Sequence, residues 1–176
     1  MRNMSIHRTS GVTLVELLVT VSIAFILLAV GVPSYQALVL NGRRVAVANE
    51  FVLALTYARS EAAKRNVPIT VCSRATNTTC AGSLTWDNGW LVFIDSGTAG
   101  SVDDADLILM VYPVLPGGTT LRAGARKRVT FRSTGFSAGF FDTFRLCDRR
   151  GSAAGRSIVL SNQGRVRTEP GTALCP

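Results

Sequence analysis

The distribution of apolar residues divides the chain into a helical part and a strand-like part. Residues 1–11 are polar and basic, whereas the 21 residues from Val12 to Val32 contain one charged residue, Glu16. A helix of that length crosses about 30 Å of hydrocarbon. Arg2 and Arg8 on the short side predict that this end stays in the cytoplasm. The rest of the chain is therefore expected on the other side of a membrane.

The helical pattern continues beyond Pro33, a residue that removes one backbone hydrogen bond and bends a helix. Apolar residues then recur at i, i+3 and i+4 spacing, which indicates a helix face that packs on a sheet. This stripe consists of Ala48, Phe51, Val52, Leu55, Ala58 and Ala62. Charged residues, Glu61 among them, occupy the other faces. Asn66, Val67 and Pro68 are typical of a helix end.

Beyond Pro68 the pattern changes to short strand-like runs separated by Gly, Asn, Asp, Ser and Pro. Eight strands are predicted, at Ile69–Ser73, Trp90–Asp95, Leu107–Tyr112, Thr119–Arg122, Arg128–Arg132, Thr143–Cys147, Ser157–Ser161 and Arg165–Thr168. The chain thus divides into a short polar segment, a membrane-spanning helix, its amphipathic continuation and a β domain, over residues 1–11, 12–33, 34–66 and 67–176. The expected fold class is α+β, with a long N-terminal helix packed on an antiparallel β domain.

The composition argues against enzymatic chemistry. The one histidine, His7, lies ahead of the apolar stretch. Without imidazole elsewhere, a Ser-His-Asp triad, a Cys-His dyad or an imidazole metal site cannot form in the β domain. No glycine-rich phosphate-binding motif occurs either. We therefore predict no catalytic residue, no metal site and no cofactor. Asp103, Asp104 and Asp106 lack the spacing of a calcium loop and favour a solvated loop.

Four cysteines, an even number, indicate two disulfides in a domain outside the cytoplasm. Sequence alone allows three pairings. We favour Cys72–Cys80, which closes a short loop, together with Cys147–Cys175, which ties down the C-terminal segment. A zinc site is disfavoured because the sequence contains no Cys-x-x-Cys pair.

Glu16 discriminates among three interpretations of the N-terminal segment. The first is a secretory signal peptide with a cleavage site at residues 29–31. The second is an uncleaved anchor, and the third is a leader cut on the cytoplasmic side, before the apolar stretch. A carboxylate inside an apolar segment costs about 2.5–3.5 kcal/mol on insertion. A plain signal peptide or anchor gains nothing from it, so Glu16 favours the third interpretation.

The segment Gly11-Val12-Thr13-Leu14-Val15-Glu16 resembles the leader motif of type IV pilins and type II secretion pseudopilins. The resemblance implies that a prepilin peptidase of the inner membrane cuts after Gly11 and methylates the new amine of Val12. It also implies that Glu16 meets the N-terminal amine of a neighbouring subunit during fibre assembly. Val12 departs from the family pattern, in which the first mature residue is usually phenylalanine. A single-pass inner-membrane protein with a periplasmic C-terminal domain is expected.

Motifs in the β domain narrow the resemblance to the FimT/GspH type of minor pilin, over nearly the whole chain. In chain order they are Ala58–Ala62, Ile69–Cys72, Trp86–Asp95, Phe131–Gly135, Phe144–Asp148 and Ser161–Arg167. The resemblance implies a type IV pilin-like fold and other pilins or pseudopilins as partners. Some members are minor pseudopilins with a structural role at the tip of a type II secretion fibre. Others are minor pilins that help prime pilus assembly and, in DNA-taking bacteria, bind DNA.

Arginine dominates the basic residues, and the C-terminal third carries the excess charge. The chain has 19 basic residues and a net charge of +8, and only Lys64 and Lys127 are lysines. Residues 66–120 hold one arginine and five aspartates, whereas residues 121–176 hold eleven basic and three acidic residues. Arginine makes bidentate hydrogen bonds to phosphate, which lysine cannot make. The charge distribution therefore favours a phosphate-bearing partner for the C-terminal third.

The segment Gly164-Arg165-Val166-Arg167 resembles the Gly-Arg-x-Arg motif linked to DNA binding in this family. In a strand, Arg165 and Arg167 would point to the same face about 7 Å apart. Gly164, which lacks a side chain, would allow DNA a close approach. Four more arginines lie nearby in sequence or across the favoured disulfide, at Arg145, Arg149, Arg150 and Arg156. Phosphate contacts of this kind are independent of base sequence and weaken with salt.

Structural roles compete with this interpretation. A Gly-Arg turn at a strand start can serve folding alone, Arg165 can pair with Asp148 or Glu169, and secretion-type relatives carry similar tails. Phe140 and Phe141 could stack on bases, although core packing is favoured for both. The sequence therefore predicts a DNA-binding minor pilin that supports natural transformation, with a purely structural pseudopilin as the alternative.

Overall fold

The computed structural model describes residues 11–171 and 173–175, so residues 1–10 of the predicted leader lie outside the described part. The described residues form two compact units, the first ending at Leu40 and the second beginning at Asn41. One helix, α1 (Leu14–Arg65), contributes to both. The backbone N–H of Glu16 donates a hydrogen bond to Thr13 Oγ1 (3.2 Å), which explains why the helix begins at Leu14.

The first unit contains the N-terminal portion of α1, whose apolar side chains are exposed from Leu14 to Val32. In the described part of the chain, α1 is the helix long and apolar enough to cross a membrane, with a mean hydropathy of 2.6 over its most apolar stretch. Exposed apolar side chains of this density are stable in lipid rather than in water. Pro33 lies inside the helix, as the sequence predicted.

The described residues of the second unit form eight antiparallel strands in two four-stranded sheets. Their bounds are β1 (Ile69–Ser73), β2 (Trp90–Ile94), β3 (Leu107–Val111), β4 (Thr120–Arg122), β5 (Arg128–Phe131), β6 (Asp142–Cys147), β7 (Arg156–Leu160) and β8 (Val166–Pro170). The first sheet has the order β3-β2-β1-β5 and the second has the order β4-β6-β7-β8. This arrangement confirms the predicted fold class. A short 3₁₀ turn (Ser152–Ala154) precedes β7.

The core lies where α1 covers both sheets. The ring of Phe51 on α1 contacts the rings of Trp86, Trp90 on β2 and Phe144 on β6 edge-on, at centroid distances of 5.6, 4.9 and 4.8 Å. Each such aromatic pair contributes about 0.5–1.5 kcal/mol beyond the area it buries. This aromatic cluster, whose four side chains are fully buried, joins the helix to both sheets.

The buried face of α1 differs from the predicted apolar stripe at four residues. Val47 and Ala54 are fully buried, whereas Val52 is only half-buried. Glu61, expected on a polar face, is 8% exposed. Its carboxylate forms ion pairs with Lys64 (3.7 Å) and with Arg65, which satisfy the charge at the edge of the core.

Gly89 is required by a close backbone approach at the start of β2. Its φ is +91°, and a Cβ atom there would lie 2.2 Å from the carbonyl oxygen of Tyr112. The neighbouring Trp90 ring stacks on the Tyr112 ring with a centroid distance of 4.0 Å. Glycine is the residue that allows both contacts, since it adopts positive φ without a steric cost.

The acidic residues of the β2–β3 loop accept backbone hydrogen bonds within that loop. Asp103 accepts from the N–H groups of Thr98 (2.7 Å) and Ala105 (3.0 Å), and these bonds hold the pKa of its carboxyl below the usual value. Asp106 accepts from Ser96 N–H (2.7 Å). The described residues include no group of three His, Cys, Asp or Glu side chains that could hold a metal ion. The carboxylates therefore stabilise the loop conformation.

Two disulfides close the second unit. Cys72 on β1 is bonded to Cys80, and Cys147 at the end of β6 is bonded to Cys175. Their Cα–Cα distances are 5.7 and 5.8 Å. The pairs are the two that the sequence analysis favoured, and the second links the C-terminal segment to the second sheet.

Candidate nucleic-acid interface

The outer face of the second sheet, which points away from α1, carries a set of arginines. Along β6 and β7 the buried residues Phe144, Leu146, Ile158 and Leu160 face the core. Side chains alternate along a strand, so Arg145 and Val159 face outward. Arg122 on β4 lies opposite Arg145, and Arg167 on β8 lies opposite Val159. The register therefore brings three arginines from three strands onto one surface.

Two adjoining depressions that share Val159 complete this surface. One is lined by Arg165 and Arg167, and the other by Arg126 and Arg145. We refer to Arg122, Arg126, Arg145, Arg165 and Arg167 together as the arginine face. Arg122 and Arg126 were not predicted from the sequence as part of this surface. The alternation of Leu121 and Arg122 would have placed Arg122 outward, but only the strand pairing puts it beside Arg145.

Arg165 lies in a turn, which corrects the prediction that it shares a strand with Arg167. Strand β8 begins at Val166, and Arg165 belongs to the connection from β7. Ser161 holds this turn because its N–H donates to the Arg165 carbonyl (3.0 Å) and its Oγ accepts from the Arg165 N–H (3.2 Å). Both arginine side chains are nevertheless exposed and line one depression.

Gly164 faces the protein interior, so its expected role of admitting DNA is wrong. The residue is buried and has a φ of +73°. A Cβ atom there would lie 2.5 Å from the carbonyl oxygen of Gly135 and 3.2 Å from the side chain of Arg59. Arg59 Nη1 also donates a hydrogen bond to the Gly164 carbonyl oxygen (3.2 Å). Because glycine has no Cβ atom, the turn packs closely on Gly135 and Arg59, and the Gly164 carbonyl is hydrogen-bonded to α1.

Carboxylates partly neutralise the arginine face. Arg167 Nε lies 2.7 Å from Glu169 Oε1, and Arg122 is paired with Asp87. Asp142 accepts the backbone N–H groups of Ala125 (3.1 Å) and Arg126 (2.8 Å). Five arginines and these three carboxylates leave a net charge of +2. The Arg167 side chain is 67% exposed, and exposed ion pairs contribute about 0–1 kcal/mol, so phosphate can compete with Glu169 for Arg167.

Arg150 and Arg156 lie away from the arginine face, contrary to the grouping made from sequence. Arg156 lies opposite Leu146 and shares the inward face of β7 with Ile158. Arg150 donates to Asp148 through Nη2 (2.6 Å) and Nε (3.0 Å). This pairing holds the pKa of the Asp148 carboxyl below its usual range. Asp148 is therefore engaged by Arg150 rather than by Arg165.

Arg149 is exposed in the turn that follows β6, beside Arg150. The two phenylalanines differ as well. Phe140 is half-buried against the core, as expected, whereas Phe141 is 53% exposed. The guanidinium carbon of Arg126 lies 5.7 Å from the centre of the Phe141 ring. Phe141 therefore borders the arginine face instead of joining the core.

The N-terminal residues of interest precede α1 or lie in its first turn. Gly11 and Val12 are exposed ahead of the helix. Glu16 is exposed within the first turn, where a negative charge interacts favourably with the helix dipole. These positions leave leader cleavage after Gly11, methylation of Val12 and the assembly role of Glu16 as predictions.

Comparison with known families and structures finds a matching family and similar solved structures. The family model described as Type II transport protein GspH matches residues 47–164. No curated protein matches. Two crystal forms of the type IV minor pilin FimU from Pseudomonas aeruginosa are similar in structure, each with 22% identity over 74% of this chain. Their TM-scores are 0.57 and 0.58, over 95% and 90% of the FimU chains. These similarities establish the fold.

Proposed function

Because this chain belongs to the GspH family of minor pilins and pseudopilins, we propose that it is a FimT-like minor type IV pilin. In this proposal it helps to prime pilus assembly with other pilins. It also binds DNA without sequence preference and supports DNA uptake in natural transformation. The single observation that carries the DNA-binding part is the arginine face, where three strands, the β7–β8 turn and the β4–β5 connection present five arginines on one surface.

The spacing of the arginine face suits phosphate contacts. Neighbouring strands lie about 4.8 Å apart, and the β8 residue level with Arg145 is Glu169, two residues from Arg167. The backbones of Arg145 and Arg167 are therefore about 12 Å apart across β7. Arg165 extends the row at the end of the sheet. Guanidinium groups on such a surface can bind phosphates along one nucleic-acid strand. Binding by phosphate contacts releases counterions, so affinity should fall steeply with salt.

The experiment measures DNA binding by residues 39–176. This fragment contains every strand and the whole buried core, which runs from Val47 to Ala173. A labelled duplex is titrated by fluorescence anisotropy between about 50 and 200 mM salt. Replacing Arg165 and Arg167 with Gln should weaken binding and reduce the slope of log affinity against log salt by about two.

A matched control removes the same charge from another surface. Arg43 and Lys64 are both exposed on α1, so the variant Arg43→Gln/Lys64→Gln should retain the affinity and the salt slope. Unchanged binding by the Arg165/Arg167 variant, or an equal loss in both variants, would refute the assignment of DNA binding to the arginine face.

A minor pseudopilin with a purely structural role at the tip of a type II secretion fibre is the second candidate. Two observations favour it: Gly164 is explained by packing on Gly135 and Arg59, and Arg167 is paired with Glu169. A folded, oxidised fragment that binds no DNA would support this candidate. Deleting the gene should then impair protein secretion and leave transformation unchanged.

The N-terminal proposals are common to both candidates. A prepilin peptidase of the inner membrane cuts after Gly11 and methylates Val12, and the residues that follow span that membrane once. The β domain then lies in the periplasm until the subunit enters a fibre. Glu16 pairs there with the N-terminal amine of a neighbouring subunit. The exposed apolar stretch of α1 and the family membership support this sequence of events.

A further inference from the structure

Three arginines that the arginine face leaves out lie together on the side of the second sheet that faces α1. Arg44 comes from α1, Arg150 from the turn after β6, and Arg156 from β7. We refer to them as the basal arginine cluster. The carboxylate of Asp148, whose side chain is 2% exposed, is held by Arg150 and also interacts electrostatically with Arg44. Three positive charges and one negative charge leave a net charge of +2.

Several hydrogen-bond donors of the basal arginine cluster have no acceptor among the described residues of the protein. The Nε and Nη1 atoms of Arg44 and the Nε atom of Arg156 are buried without a hydrogen-bond partner. Arg44 Nη2 donates to Asn41 Oδ1 (3.1 Å). Burial and the positive charges of Arg150 and Arg156 lower the pKa of Arg44. A multiply hydrogen-bonding anion at this cluster would relieve both the repulsion and the missing hydrogen bonds.

The position of Arg44 in the chain indicates which kind of anion would bind the basal arginine cluster. Residues 17–42 carry no charge, so Arg43 and Arg44 are the first charged residues after the apolar stretch. Arg44 follows Val32, the end of the apolar stretch, by twelve residues, which span about 18 Å along α1. When the apolar stretch is in a bilayer, Arg43 and Arg44 are therefore the first guanidinium groups beyond it that the chain can bring to the lipid phosphates.

We propose that the basal arginine cluster binds the phosphate groups of anionic phospholipids and holds residues 41–176 on the membrane surface before the subunit leaves for a fibre. Arginine suits this ligand because its guanidinium binds phosphate oxygens in pairs. Basic side chains next to a membrane segment bind anionic headgroups and not zwitterionic ones. The two arginine surfaces thus have different ligands, one in the membrane and one in solution.

The first experiment measures vesicle binding by residues 39–176 in a flotation assay. One set of vesicles is phosphatidylcholine alone, and the other contains about one third phosphatidylglycerol. The wild-type fragment should float with the anionic vesicles only. The variant Arg44→Gln/Arg156→Gln keeps the Asp148–Arg150 pair and should bind them about 30-fold more weakly, which corresponds to about 1 kcal/mol for each arginine.

The matched control is the variant Arg165→Gln/Arg167→Gln, which removes the same charge from the arginine face. It should keep most of its affinity for anionic vesicles. An equal loss in the two variants would mean that only net charge matters and would overturn the proposal, as would a basal variant that binds like the wild type. Circular dichroism establishes that each fragment compared is folded.

A second experiment uses the full chain and needs no variant. The protein is placed in nanodiscs of either lipid composition, and hydrogen exchange is measured for the backbone of residues 148–156. Slower exchange in anionic nanodiscs alone is the expected result. Equal exchange in the two compositions would overturn the proposal. So would the same protection in zwitterionic nanodiscs on addition of millimolar inorganic phosphate, since the ligand would then be free phosphate.

Discussion

Gly164 combines a left-handed backbone with a crowded surrounding. Its φ of +73° strains any residue that has a Cβ atom, and that atom would also meet the Gly135 carbonyl oxygen at 2.5 Å. Gly171 has the same φ of +73°, but nothing lies within 4 Å of its Cβ position. The two glycines therefore separate the cost of backbone strain from the cost of the contact.

Replacing Gly164 with Ala should lower the free energy of unfolding by about 2–4 kcal/mol, since strain and a backbone clash add. Gly171→Ala should cost about 1–2 kcal/mol, from strain alone. Urea denaturation of residues 39–176 measures both. Equal losses would show that the turn shifts freely away from Gly135 and that Gly164 is not packed as described.

The pair Asp148–Arg150 predicts a pH-dependent contribution to stability. Hydrogen bonds from Arg150 lower the pKa of Asp148 in the folded state, so the stabilisation is complete above the unfolded value of about 3.9. It is lost as the pH falls through the lowered folded pKa. Arg150→Gln should therefore cost about 2–3 kcal/mol at neutral pH and progressively less in acid.

Denaturation of the Arg150→Gln fragment at several pH values tests this expectation. The exposed neighbour Arg149 provides the control, because Arg149→Gln should change the free energy of unfolding by less than about 0.5 kcal/mol at any pH. A loss in the Arg150 variant that stays constant down to pH 3 would contradict the role of Asp148.

At the scale of elements, the two disulfides close loops of different length. Cys72 and Cys80 are separated by 8 residues, whereas Cys147 and Cys175 are separated by 28. The entropy lost by the unfolded chain grows with loop length. Replacing Cys72 and Cys80 with Ser should thus cost about 2–3 kcal/mol, and replacing Cys147 and Cys175 about 3–4 kcal/mol. Denaturation of the two variants gives the order, and the reverse order would contradict the loop-entropy account.

Strand positions were predictable because local pattern determines them. All eight strands lie within two residues of the predicted bounds, since short runs of apolar residues, continuous or alternating, are bracketed by turn residues. The inward direction of Arg156 was also readable, because it has the parity of Ile158 and Leu160. The proximity of Arg44 to Arg150 could not be predicted from the sequence. It depends on how α1 packs on the second sheet, which no local sequence pattern determines.

The turn at Arg165 illustrates the same limit. The sequence places Arg165 and Arg167 two residues apart, which is compatible with a shared strand. The Ser161 hydrogen bonds to Arg165 instead close the hairpin one residue before β8. Likewise, the sequence suggests that the space beside Gly164 is open to solvent. In the structure Gly135 and the side chain of Arg59 occupy that space.

At the scale of the whole molecule, Glu16 should matter for assembly and not for insertion. A carboxylate in an apolar segment costs about 2.5–3.5 kcal/mol in the membrane, so Glu16→Leu should insert at least as well as the wild type. The same variant should be cleaved to a methylated Val12 and should enter fibres poorly, because the neighbouring amine loses its partner. Membrane fractionation, mass spectrometry and the subunit content of sheared fibres measure these three steps.

Glu50 provides a matched control for the charge. It is exposed on the same helix but lies beyond the apolar stretch, so Glu50→Leu should leave fibre entry unchanged. Normal fibre content of the Glu16→Leu subunit would contradict the amine–carboxylate account.

The attachment of the Gly164 turn to Arg59 has a mechanical consequence. A ligand held at Arg165 and pulled away from the protein would load the β7–β8 turn first. Part of that load passes through the Arg59–Gly164 hydrogen bond into α1, and the Gly135 contact passes part of it to the connection after β5. The rest passes along the backbone from Arg165 to Val166 and into β8 at the sheet edge. Tension on the turn would therefore be shared between the helix and the edge strand, which lowers the force that peels β8 from β7.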